Sequence, residues 1–249
     1  MQVTDRGTGE PQLAVVGSIH GDEPAGKKAI EKIISRHRFR KPVRFIVANE
    51  KALEEDVRYL DSDLNRSFPG DAGSSSHEER LASEILEQVR GKTVLDLHTT
   101  HSYPEPFSTI KDLEDLEEAR KTGAEYVIHF PGSSGAMMEH VDGTLVETGL
   151  QGTVKAVENA VEVVENFLAA HGAIEADYRL SDPEVYRYYE TVEGDWEFLA
   201  ENFERVEEGE VYARKGDREL VAEEDFYPVL MSTNGYDGQL GYKAEKVQP

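Results

Sequence analysis

The sequence contains no cysteine. That removes a disulfide framework and any thiolate metal site, so a metal would have to rest on imidazole and carboxylate groups. No apolar run approaches the roughly 20 residues that a membrane-spanning helix needs, and the opening residues MQVTDRGTGEP lack the apolar stretch of a secretory signal. Positive charge is scarce: 27 Lys and Arg face 50 Asp and Glu, a formal net charge of −23. Nucleic acid needs a basic surface and is not an expected partner. The same excess opposes attraction to anionic membranes. The acids are dispersed through segments such as EEDVRYLDSD, KDLEDLEEAR and VEEGE, not gathered in a tail. A dispersed acidic surface stays soluble where salt screens its repulsion, which points to a halophilic, cytoplasmic protein. An ordinary acidic mesophilic protein is the other reading of the same composition.

At 249 residues and 38% hydrophobic, the chain can bury a sizeable core. QLAVVGSI (12–19) is short, apolar and β-branched, and it reads as a buried strand. Pro24 is acceptable in a first helical turn, so AGKKAIEKIISR reads as the helix that follows. PVRFIVAN (42–49) and TVLDLHT (93–99) are further strands, separated by a turn-rich loop and by HEERLASEILEQVR (77–90). In that helix Leu81, Ile85, Leu86 and Val89 share an apolar stripe. EYVIHF (125–130) and GTLVET (143–148) are strand-like, and a long helical pattern after them stops on Gly172. This alternation predicts an α/β fold: a mostly parallel mixed sheet flanked by helices. After about residue 177 the pattern changes to short strands and turns, so residues 1–177 form the expected main domain and 178–249 a small β-rich C-terminal domain. No internal repeat is visible.

Two motifs carry chemistry. Gly17-Ser18-Ile19-His20-Gly21-Asp22-Glu23 follows the first strand, and Asp96-Leu97-His98 ends another. Ligand sites in open α/β sheets lie just outside the carboxyl ends of strands. Two His and one Glu match a catalytic zinc site, with a fourth position left for water. Cobalt or manganese could occupy the same donor set. A His after a buried strand also fits a hydrogen-bonded loop, and these residues alone leave both readings open. His101 lies close to His98, but His98 sits at the strand end with an aspartate two residues before it. The other histidines are expected on the surface or in local hydrogen bonds.

Set beside Arg58…Asp63-Leu64-Asn65-Arg66 and Leu145-Val146-Glu147-Thr148-Gly149, these motifs make the chain resemble the succinylglutamate desuccinylase/aspartoacylase family, relatives of the zinc carboxypeptidases. The resemblance runs from the HGDE turn to YPVLMSTNGY (227–236). It implies one zinc ion held by His20, Glu23 and His98, with Glu147 as general base and acid. It further implies that Arg58 polarises the scissile carbonyl, that Asn65 and Arg66 hold the substrate carboxylate, and that Tyr236 closes over the substrate. The implied activity is hydrolysis of the amide of a small N-acylated amino acid. One departure bears on the substrate. About ten residues before the glutamate, aspartoacylases carry an arginine for a second carboxylate. Here Met137 lies near that place, and no arginine occurs from 121 to 178.

A zinc carboxypeptidase, another small-amide or ester deacylase, and a non-catalytic zinc-binding module are the alternatives; a positioned Glu147 separates enzyme from binder. A homodimer is the base-rate expectation for assembly.

Overall fold

The computed structural model describes residues 1–132, 135–233, 235 and 238–248. In chain order the elements are β1 (Gln2–Arg6), β2 (Leu13–Gly17), α1 (Ala25–Arg36), β3 (Val43–Val47), α2 (Glu50–Glu55), α3 (His77–Val89), β4 (Thr93–Thr100), β5 (Phe107–Ile110) and α4 (Leu116–Arg120). They continue with β6 (Tyr126–His129), β7 (Asp142–Leu150), α5 (Val154–Ala170), β8 (Glu184–Glu193), β9 (Glu197–Phe198), β10 (Val211–Lys215), β11 (Arg218–Val221), β12 (Tyr227–Val229) and β13 (Gln239–Val247).

Ten strands form one sheet in the order β1-β3-β2-β4-β7-β5-β6-β8-β13-β12. At its centre β3, β2, β4 and β7 run parallel, so their carboxyl ends open on the same edge. Central parallel strands are covered on both faces and therefore read as apolar runs. All five residues of β2, LAVVG, are buried. Its side chains alternate: Leu13 and Val15 join a core shared with α1 and α5, whereas Ala14 and Val16 join one shared with α3. Helix α1 turns Ala29, Ile30 and Ile33 inward, and α3 turns Leu81, Ala82, Ile85 and Val89. Two helical layers thus clamp the sheet. No helix among the described residues is long and apolar enough to cross a membrane.

The region after residue 177 is β-rich and largely antiparallel. Strand β8 pairs in parallel with β6, then β13 and β12 add antiparallel strands, so the main sheet runs on into this region. A separate three-stranded sheet, β11-β10-β9, packs its own core around Trp196, Tyr212, Phe226 and Leu240. Strands β1 and β5 and the short helix α4 carry no clear periodic signal in the sequence.

Candidate active site

Three of the parallel strands deliver the candidate residues. Strand β2 ends at Gly17, and the chain turns sharply through Ser18, a non-glycine residue at φ 57°. That left-handed conformation is costly for a side chain with a Cβ and is most often retained at functional sites. Here it bends the backbone so that His20 and Glu23 fall inside, 3% exposed each. Gly21 has to be glycine: a Cβ there would meet the Ala52 carbonyl carbon at 2.1 Å. Its N–H donates to the Arg58 carbonyl at 3.1 Å, tying the turn to the loop that carries Arg58 and Asp63.

His98 lies on β4 and pairs in register with Glu147 on the neighbouring β7. Thr148 Oγ1 donates to the His98 carbonyl at 2.9 Å. Gly149, at φ 125°, leaves room for the Pro104 carbonyl, which a Cβ would approach to 2.6 Å. Together these explain why the glutamate is followed by Thr-Gly.

The Glu23 carboxylate is the hub. Oε1 lies 2.7 Å from His20 Nδ1 and 3.3 Å from Arg58 Nη1. Oε2 lies 3.4 Å from His98 Nδ1 and accepts the Thr99 N–H at 2.7 Å. The imidazoles meet edge to face with centroids 5.0 Å apart. Each has a carboxylate on its other nitrogen: His20 Nε2 is 3.1 Å from Asp63 Oδ1, and His98 Nε2 is 3.1 Å from Asp96 Oδ2. Ligand atoms of His20, Glu23 and His98 lie within 4.8 Å of one another. One ion with bonds of roughly 2.0–2.2 Å spans donors up to about 4.4 Å apart, so a small side-chain adjustment lets all three reach it. Carboxylates behind the ligating imidazoles are the usual outer support of such a centre.

Charge follows geometry. Burial works against ionised Glu23, but His20 and His98 outweigh it and hold its carboxyl well below the ordinary value. Burial likewise opposes protonation of His98, yet Asp96 and Glu23 raise it well above the ordinary histidine value. Glu147 goes the other way: burial, against the pull of His98, pushes its carboxyl up to about 7. Its Oε2 is buried without a hydrogen-bond partner among the described residues. A buried polar atom seldom goes unpaired, and functional sites are where this happens. Arg58 is oriented by Asp63 Oδ2, which accepts from Nε at 3.2 Å and from Nη2 at 3.1 Å.

A cavity of about 350 Å³ brings together His20, Glu23, Arg58, Asn65, Arg66, His98 and Glu147. Asn65 Oδ1 accepts the Met137 N–H at 3.1 Å, and the Met137 side chain is buried and does not line the cavity. Tyr236 lies outside the described residues. His101 is exposed and apart from the cluster, as expected. His37, His129 and His171 make local hydrogen bonds to Glu165, the Lys111 carbonyl and Glu118. The sequence reading gave no role to Asp63 as the link between His20 and Arg58, nor to Glu78, which anchors their loop. For Asp63 the available signal was an acidic residue inside a turn-rich segment, and for Glu78 an acidic residue in the first turn of a helix.

The chain is 36% identical over 106 residues to the N-acyl-aromatic-L-amino acid amidohydrolase (carboxylate-forming) of Xenopus tropicalis, covering 36% of this chain and 34% of that protein. It is 29% identical over 212 residues to the N-alpha-acetyl-L-2,4-diaminobutyric acid deacetylase of Halomonas elongata, covering 74% of this chain and 61% of that protein. The matches thus span about a third and under two thirds of these relatives' own lengths. In fold, the chain superposes on the crystal structure of a succinylglutamate desuccinylase/aspartoacylase from Rhodobacter sphaeroides with a TM-score of 0.80 at 20% identity, covering 99% of this chain and 89% of that one. The family model for the succinylglutamate desuccinylase/aspartoacylase catalytic domain matches residues 9–169, and the chain belongs to that family.

Proposed function

We propose that the protein is a zinc-dependent hydrolase that cleaves the amide bond of a small N-acylated amino acid. The observation that carries this reading is Glu147 Oε2, buried and unpartnered among the described residues, on a carboxyl raised to about 7 beside a cluster of two imidazoles and a carboxylate. A module that only held a metal would have no use for such a group.

His20, Glu23 and His98 would hold the ion, and Asp63 and Asp96 would fix the two rings from behind. Zinc at such a site supplies Lewis acidity, lowering the pKa of water toward about 7 and polarising a carbonyl. Glu147 takes the proton of the attacking water and returns it to the leaving amine, a transfer worth roughly 10²–10⁴ in rate. Arg58, held by Glu23 and Asp63, places positive charge where the carbonyl oxygen becomes anionic. The planar fork of Arg66, with the Asn65 amide, suits a substrate carboxylate. In a chain of net charge −23, the two arginines Arg58 and Arg66 also draw an anionic substrate in against the overall field. The relatives' names support an N-acyl amino acid as the substrate class.

The test is turnover of a panel of N-acetyl and N-succinyl amino acids by the zinc-loaded protein and its Glu147→Gln variant. The variant is expected to keep its zinc and lose roughly 10²–10⁴ in kcat. A Glu147→Gln protein as active as the parent would overturn the mechanism.

A further inference from the structure

Leaving the metal cluster, the lining of the cavity changes character. Leu145 sits two residues before Glu147 on β7, hence on the same face, with Thr109 opposite it on β5. Beyond them the wall is aromatic. Phe130, just after β6, Tyr188 on β8 and Tyr242 on β13 form a closed trio. Their ring centroids are 5.3 Å apart for Phe130–Tyr188, 5.3 Å for Phe130–Tyr242 and 5.2 Å for Tyr188–Tyr242. Ile110 and Leu230 complete the surface. All three rings are only partly buried and face the same space as the triad.

A second carboxylate on a substrate would need a cation on this wall. Among the described residues of the cavity the basic groups are Arg58, Arg66 and Lys111. Arg58 is engaged by Glu23 and Asp63, and Arg66 was assigned above to the first carboxylate. That leaves Lys111, 39% exposed, 3.8 Å from Asp112 and sharing the cavity with the Glu139 carboxylate. A lone, solvated lysine facing an acid is a poor grip for an anion, whereas three clustered rings and three aliphatic side chains make a favourable surface for an apolar one. Size agrees. A dry cavity of roughly 150 Å³ lined by apolar side chains accepts benzene, so 350 Å³ holds a ring-sized group together with the amide.

We propose that this aromatic wall selects the substrate: the enzyme takes N-acyl amino acids that carry an aromatic or branched aliphatic group where acidic substrates would carry a second carboxylate. The inference rests on the hydrolase reading above and assigns the C-terminal strands β8 and β13 a direct part in recognition.

The test compares kcat/KM of the zinc-loaded wild type across three groups of substrate. N-acetyl-L-phenylalanine and N-acetyl-L-leucine carry the apolar group on the amino acid, and N-benzoylglycine carries it on the acyl side. N-acetyl-L-aspartate and N-succinyl-L-glutamate carry a second carboxylate, and N-acetylglycine carries neither. At least one apolar member is expected to exceed both acidic ones by about tenfold or more, and whichever arm leads tells which end of the substrate meets the wall. Tyr242→Ala and Tyr188→Ala should each lower kcat/KM for that substrate roughly 10- to 100-fold, mainly through KM, with less than about threefold effect on N-acetylglycine. Since the wild-type panel decides on its own, a variant that fails to fold does not rescue the idea. Preference for an acidic member, lost in Lys111→Met, overturns this inference and leaves the hydrolase reading standing. No turnover of any member by the zinc-loaded protein overturns both.

Discussion

Glu78 makes an unusually sharp prediction, because one carboxylate holds the loop that presents Arg58, Asp63, Asn65 and Arg66. It stands in the first turn of α3, fully buried, where the helix N-terminus favours negative charge. Its Oε1 accepts the Leu60 N–H at 2.8 Å and Asn49 Nδ2 at 3.1 Å; its Oε2 accepts the N–H groups of Asp61 at 3.0 Å and Ser62 at 3.3 Å. Glu78→Gln keeps the shape but turns one oxygen into a donor. Two of the four bonds are then lost and two become neutral. Hydrogen bonds to a charged group contribute about 1.5–3 kcal/mol each and neutral ones about 1 kcal/mol, so the loss over the four is about 4–10 kcal/mol. That is a large part of a typical stability of 5–15 kcal/mol. Burial opposes ionisation of Glu78, yet these donors prevail and hold its carboxyl below the ordinary 4.5. A depressed carboxyl stabilises the fold above its unfolded value and loses that contribution as pH falls through the folded one. The gap between wild type and Glu78→Gln should therefore be full at pH 7 and shrink progressively below about pH 4.5. Urea unfolding at several pH values measures it, and amide exchange at Leu60, Asp61 and Ser62 localises it. A variant within about 0.5 kcal/mol of wild type at pH 7, with those three amides equally protected, would refute the reasoning.

Asp63→Asn removes the charge that joins His20 to Arg58, so zinc affinity or kcat/KM should fall about 10- to 100-fold with little change in fold; metal titration and steady-state kinetics check this, and unchanged values for both contradict it. The dispersed charge of −23 predicts that the urea midpoint rises between about 0.1 M and 2 M KCl, as screening relieves repulsion among acids. A midpoint constant over that range would remove the halophilic expectation.

How much of this was legible in the sequence depends on how local each signal is. Strand β2 was readable as a continuous apolar run, and helices α1, α3 and α5 because one-sided burial imposes its period on their side chains. Strand β1, QVTDR, was not. It is an edge strand whose residues are mostly exposed, and its antiparallel pairing with β3 is made by backbone groups, which any residue carries. Likewise, nothing local announces that β8 will pair with β6 across the long helix α5. The His20, Glu23 and His98 cluster was legible because each half lies within one motif at a strand end, and the sheet order brings β2, β4 and β7 together. Glu78 and Asp63 were not, because their meaning lies in partners 16–18 and 43 residues away. The aromatic wall was hidden for the same reason, its rings coming from the residue after β6 and from β8 and β13, far apart in sequence.

The central claim is that two imidazoles and one carboxylate hold a single catalytic ion. Metal content after dialysis against zinc, measured by elemental analysis beside a calorimetric titration, tests it directly. The account predicts one tightly held zinc per chain, lost in the folded His20→Ala, His98→Ala double variant along with turnover. Equal zinc binding by wild type and double variant would contradict it.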